Sequence, residues 1–244
     1  MELENIIYPG FNKTLSELNA LSKVKKKSCE IVDLTEIEWV RDVLRHRVEE
    51  IGSYDIKFRK PTEEEIQTVS KIVGADIDMD ELKNNFHKNK RIIGITSGKG
   101  GVGKSTITSL LGIAFDELGK KVGIMDSDIW GYSVPKILGA KFPPIPFNER
   151  IFPSRINNLN VISMDYFVKQ DEAVIWRGPM LHKALEQFLT DVYWDDPDYL
   201  LVDLPPGTGD ISISLAGFLP TAEMIVVTTP QPCLLYTSPS PRDS

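Results

Sequence analysis

The nine residues from Gly98 to Thr106, Gly-Lys-Gly-Gly-Val-Gly-Lys-Ser-Thr, constrain this chain more than any other stretch. They fit G-x-x-x-x-G-K-[ST], a glycine-rich loop that cradles phosphate. Before them, Arg91–Thr96 is a short apolar run that reads as a buried strand. After them, Ile107, Leu110, Leu111, Ala114, Phe115 and Leu118 recur at helical spacing, and Gly119 stands where a helix would end. Strand, glycine loop and helix together are the context this motif needs. Gly98, Gly100, Gly101 and Gly103 let the backbone curl so that its N–H groups point inward. A helix starting near Lys104 adds its positive dipole end. Lys104 is placed to reach the outer phosphates, and the Ser105 hydroxyl to ligate Mg²⁺. The candidate cradle is Gly98, Lys99, Gly100, Gly101, Val102, Gly103, Lys104, Ser105 and Thr106.

Further along, the pattern alternates strand and helix. Candidate strands are Ile92–Thr96, Lys121–Met125, Leu159–Met164, Tyr199–Asp203 and Met224–Thr228. This predicts an α/β fold with a mainly parallel sheet flanked by helices, whose ligands sit at the carboxyl ends of the strands. Two strands end on carboxylates there. Met125-Asp126-Ser127-Asp128 offers two acids two residues apart; Asp128 is the candidate for orienting an attacking water, and Asp126 for the second shell of the metal or a pair with Lys104. Leu200-Leu201-Val202-Asp203 is an apolar strand closing on a metal-holding carboxylate. Pro205-Pro206-Gly207-Thr208-Gly209-Asp210 follows, where the Gly207 N–H is a candidate γ-phosphate sensor. His46, His87 and His182 read as surface or satisfied histidines rather than metal ligands.

Residues 1–86 predict a separate small α+β domain. Thr35 with Glu38 and Thr62 with Glu65 form capping-box patterns ahead of two amphipathic helices, with a strand over Tyr54–Arg59 between them. Residues 87–91 read as a polar linker, 92–231 as the phosphate-loop domain, and 232–244, with three prolines and three serines, as a disordered tail. The net charge of −7 argues against a general nucleic-acid binder. No run of about 18 apolar residues occurs. The acidic start Met1-Glu2-Leu3-Glu4 lacks the basic opening of a signal peptide, and two cysteines make no disulfide framework. The expected location is cytoplasmic.

Taken together, GKGGVGKST, MDSDIWGYSVPKILG, VIWRGPMLHKALEQFL, LLVDLPPGTGDISISL and VVTTPQ resemble the Mrp/ApbC family over Arg91–Gln231. That resemblance implies a P-loop ATPase that binds ATP and Mg²⁺ and carries iron–sulfur clusters to apo-proteins as a homodimer. Lys99 matches the extra lysine of the deviant Walker A group, which reaches the partner's nucleotide across a dimer interface; with Lys104 and Asp128 it makes up the expected catalytic set. Ser105, Asp126 and Asp203 make up the expected metal set. From the residues themselves, Trp176 and Arg177 are candidates for partner contact or are simply the start of an amphipathic helix with Pro179 near its first turn. Residues 1–86 resemble a degenerate form of the family's accessory domain, with Leu34-Thr35-Glu36-Ile37-Glu38-Trp39 where a cysteine-bearing turn is usual.

The match stops at Gln231. Family members continue into a C-x-x-C pair, two of which would hold a shared [4Fe–4S] cluster. This chain has no C-x-x-C; Cys233 stands alone, so a truncated or frame-shifted tail is expected. The alternatives are a MinD/ParA-type positioning ATPase, a nitrogenase-iron-protein-like reductase and a non-catalytic fragment.

Overall fold

The structure is a computed structural model; it describes residues 2–25, 27–76, 90–128, 131–166, 178–207 and 221–230, with the backbone alone at 178–182 and 184. Trp176, Arg177, Thr208–Asp210, His87, Cys233 and the tail lie outside the described residues. The chain divides into two compact units, Met1–Asp78 with Ile145–Phe152, and Met79–Pro144 with Pro153–Ser244.

The first unit holds β1 (Ile7–Tyr8), β2 (Lys13–Thr14), β3 (Leu21–Lys25), β4 (Ser28–Val32), α1 (Glu38–Glu49), β5 (Asp55–Arg59) and α2 (Glu63–Val73). Its three-stranded sheet runs β3-β4-β5, antiparallel then parallel. The central strand carries the buried Cys29, Ile31 and Val32; burial raises the Cys29 thiol pKa. The second capping box forms: Thr62 accepts from the Glu65 N–H, and the Glu65 side chain accepts from the Thr62 N–H. Glu65 also takes Arg59 at 2.6 Å, which holds its carboxyl down at about 2. The first box does not form. Glu36 sits at φ 54°, which turns the chain, and Ile37 becomes the N-cap of α1. Asp33 anchors that turn instead, accepting from the Glu36 N–H at 3.0 Å and from Arg41 Nε at 2.5 Å.

The second unit holds β6 (Arg91–Thr96), α3 (Lys104–Glu117), β7 (Val122–Asp126) and α4 (Val134–Leu138). The hairpin β8 (Ile145–Phe147) and β9 (Arg150–Phe152) then belongs to the first unit, although it lies within the stretch that the sequence assigns to the phosphate-loop domain. There Phe147 and Phe152 meet Phe11 edge-on, with centroids at 5.1 and 4.9 Å. The chain returns to the second unit through β10 (Ser154–Ile156), β11 (Leu159–Ser163), α5 (Gly178–Thr190), β12 (Tyr199–Asp203) and β13 (Glu223–Val226).

This second sheet runs β10-β11-β7-β12-β6-β13, parallel except for the β10–β11 pair. Ile93, Ile95, Val122, Ile124, Leu159, Val161 and Leu201 form its core with Val134 of α4. The near-continuous apolar runs follow from helices covering a parallel sheet. The register sets the site. Asp203 lies level with Ile95 on one side and Asp126 on the other, and Asp126 with Ser163, so three strand ends finish together. Leu204 N–H then bonds Ile95 O at 2.9 Å and Ser127 N–H bonds Asp203 O at 3.0 Å, carrying the alignment into the loops.

Gly123 of β7 allows Trp194 to lie on the sheet. A Cβ there would meet the Trp194 ring at 2.7 Å, and that ring is pinned by its Nε1–H bond to Phe188 O at 3.0 Å. Gly123→Ala is therefore expected to cost about 1–3 kcal/mol through overpacking, read as a lower denaturation midpoint with an unchanged m-value.

Candidate functional site

The glycine loop leaves β6 at Ser97 and enters α3 at Lys104. Gly101 and Gly103 both take positive φ, 77° and 92°, and no atom lies within 4 Å of where their Cβ would be. That conformation is open to glycine and strained for other residues. Ser97 steadies the loop start, its hydroxyl donating to Lys99 O at 2.9 Å.

The loop bounds a cavity of about 550 Å³ lined by Ser97, Gly100, Gly101, Gly103, Lys104, Ser105, Thr106, Asp128, Gly131, Ser133 and Pro206. The predicted cradle thus meets Asp128 across one space. Gly98, Lys99 and Val102 belong to the same loop but do not line the cavity, and Lys99 is exposed.

Behind the lining residues Lys104 and Ser105, Asp203 gathers three donors. Its Oδ2 accepts from Lys104 Nζ at 2.7 Å and from the Ser105 hydroxyl at 2.6 Å, and its Oδ1 lies 2.6 Å from Thr108 Oγ1. Lys104 Nζ also stands 3.6 Å from Asp128 Oδ2. Lys104, Asp128 and Asp203 are all buried. Hard oxygen donors from one carboxylate and one hydroxyl suit Mg²⁺, which keeps other positions for water and phosphate. Ser105 and Asp203 are the pair that fits it. Among the described residues no group of three or more His, Cys, Asp or Glu side chains is placed to hold a metal ion by itself, so nothing there resembles an all-protein metal cage.

Asp126 stands behind the cavity rather than on it. Its oxygens are occupied by the N–H groups of Asp128 (3.3 Å), Ser133 (3.1 Å) and Val134 (3.2 Å) and by the Ser163 hydroxyl (3.2 Å). Fully buried, it braces the turn that presents Asp128 and Ser133. Burial, reinforced by the negative Asp203 nearby, pushes its carboxyl up to about 7 against the pull of those hydrogen bonds. Gly207 departs from its expected role: its N–H donates to Ser97 O at 2.7 Å, so in this conformation that group ties two loops together rather than facing phosphate.

A model of the family described as ParA: NUBPL iron-transfer P-loop NTPase matches residues 88–238. The chain belongs to this family. It is 52% identical over 141 residues to an iron-sulfur cluster carrier protein of Mycobacterium leprae, covering 58% of this chain and 37% of that protein. It is 35% identical over 236 residues to one of Helicobacter pylori, covering 94% of this chain and 63% of that one. The chain thus spans between about a third and two thirds of these relatives' lengths. Among solved structures, a nucleotide-binding protein in complex with ADP from Archaeoglobus fulgidus aligns with TM-score 0.55 and 31% identity, over 66% of this chain and 64% of that chain.

For an iron-transfer P-loop NTPase, the carboxylates and the loop are legible from sequence. Thr108, Ser127 and Ser163 are not singled out there, although each touches a site carboxylate or its backbone. Thr108 carried a signal: it lies four residues after Lys104, one helical turn along the same face. No helix among the described residues is long and apolar enough to cross a membrane.

The brace makes a measurable claim. Asp126→Ala leaves three N–H groups without their acceptor, while relieving repulsion with Asp203. A net loss of about 2–4 kcal/mol is expected, read by urea unfolding of the nucleotide-free protein.

Proposed function

We propose that this chain binds and hydrolyses ATP with Mg²⁺, and that it serves as the nucleotide-driven part of an iron–sulfur cluster carrier that delivers clusters to apo-proteins. The observation that carries the reading is the convergence of Lys104, Ser105 and Asp128 on one cavity walled by the glycine loop, with Asp203 bonded directly to Lys104 and Ser105. Phosphate enters against the loop N–H groups and the N-terminus of α3. Lys104 exchanges its bond to Asp203 for one to phosphate, which frees the Asp203 carboxylate. Ser105 and Asp203 would hold Mg²⁺, which supplies neutralisation of the charge that builds on the transferred phosphoryl group. Asp128, set by its own Oδ1 bond from the Gly131 N–H at 3.0 Å, orients the attacking water. Positioning and electrostatics do this work, and no covalent enzyme intermediate is needed.

Dimerisation belongs to the same proposal. Lys99 is exposed and lies outside its own cavity's lining, as a lysine acting on a second copy's nucleotide must. The cluster is cargo, and its carriage rests on the relatives' description as iron-sulfur cluster carrier proteins.

Two outcomes are expected. Lys104→Ala lowers ATP turnover by about 100-fold or more while its circular dichroism spectrum stays that of the parent; unchanged turnover in a folded variant would falsify the assignment. One buried lysine stands against three buried carboxylates here, Asp126, Asp128 and Asp203, so a polyanionic ligand meets a site short of positive charge. Chelating Mg²⁺ with EDTA should weaken binding of a fluorescent ADP analogue by about tenfold or more, measured by anisotropy.

A further inference from the structure

Thr108 is fully buried on α3, one turn beyond Lys104. Its Oγ1 lies 2.6 Å from Asp203 Oδ1 and 3.1 Å from Lys104 O. The hydroxyl has a single proton, and the shorter, charge-assisted contact to the carboxylate is the stronger claim on it. Asp203 is thereby divided in function. Oδ1 is held by Thr108; Oδ2 is bonded to Lys104 and Ser105, which line the cavity.

The Lys104 bond is one that nucleotide must displace, and Ser105 is the hydroxyl that a cation would draw away. Thr108 is different. It does not line the cavity, and its hydroxyl meets Asp203 Oδ1 and Lys104 O, neither of which a ligand in the cavity has to displace. Its bond to Oδ1 can persist throughout. We propose that Thr108 is the positioning residue that keeps the Asp203 carboxylate in one orientation, so that Oδ2 alone is offered to Mg²⁺ when nucleotide arrives. Outer-sphere hydrogen bonds of this kind orient ligating carboxylates, and their loss typically weakens metal binding by about 10–100-fold. This inference rests on the nucleotide-binding reading above.

Thr108→Val keeps the shape and the β-branch and removes only the hydroxyl; Thr108→Ser keeps the hydroxyl. The measurement is anisotropy of methylanthraniloyl-ADP on the full chain, as a function of Mg²⁺ and again in EDTA. In Thr108→Val the Mg²⁺ concentration giving half-saturation is expected to rise about tenfold. Binding in EDTA should stay at the parent's level, and Thr108→Ser should follow the parent. A Thr108→Val curve that overlays the parent's would overturn the inference. So would equal weakening with and without Mg²⁺, or a failure of serine to restore the parent curve, since either marks a packing role. If Thr108→Val does not fold, Thr108→Ala takes its place under the same criteria. A parent chain that binds no analogue at any Mg²⁺ concentration sinks the nucleotide reading itself, and this inference with it; that result is visible without any variant.

Discussion

The buried ion pair between Lys104 and Asp203 is the point on which the phosphate-loop unit turns. A lysine and an aspartate removed from water need good geometry and further hydrogen bonds to offset their desolvation. Here the aspartate receives them from Ser105 and Thr108. The pair also joins the start of α3 to the end of β12, so the helix N-terminus, the glycine loop and the central strands share one fixed reference. The parallel register that brings Ile95, Asp126, Ser163 and Asp203 level is what makes that bond possible.

Around this pair the site is arranged in two layers. Asp128, Lys104 and Ser105 face the cavity. Asp126, Thr108 and Ser163 stand behind them, and each binds a group that shapes what faces inward. The outer layer spends its hydrogen bonds on backbone and carboxylate rather than on ligand. Asp126 is the extreme case: a carboxylate kept at a position that burial and Asp203 both disfavour, because four donors converge on it.

Much of this was legible in the sequence. The strand, glycine loop and helix could be read because each has its own signal: an apolar run, glycines at fixed offsets and a 3.6-residue period. Asp128 and Asp203 were legible as carboxylates closing apolar strands. Asp126 was left between the metal's second shell and a pair with Lys104, because a D-x-D pair at a strand end does not reveal which acid faces the cavity; its partners follow from the turn that brings the Ser133 and Val134 N–H groups onto one oxygen. The N–H of Gly207 was read as open, yet the carbonyl of Ser97 lies within reach only after folding. The capping-box pattern at Thr35 was outweighed by a turn anchored on Asp33, a tertiary contact with Arg41 that no local pattern encodes. Short strands such as β8 and β9 carry too few residues to show a period.

The β8–β9 hairpin also bears on the order of events in time. The first unit begins at the amino terminus, yet Phe11 finds Phe147 and Phe152 only after more than half of the chain has been made. Synthesis proceeds from the amino terminus, and domains that are continuous in sequence can fold as they emerge. This one cannot close its aromatic cluster until β6, the glycine loop, α3 and β7 have already left the ribosome. The smaller unit therefore completes its aromatic cluster only with a segment that follows the phosphate loop.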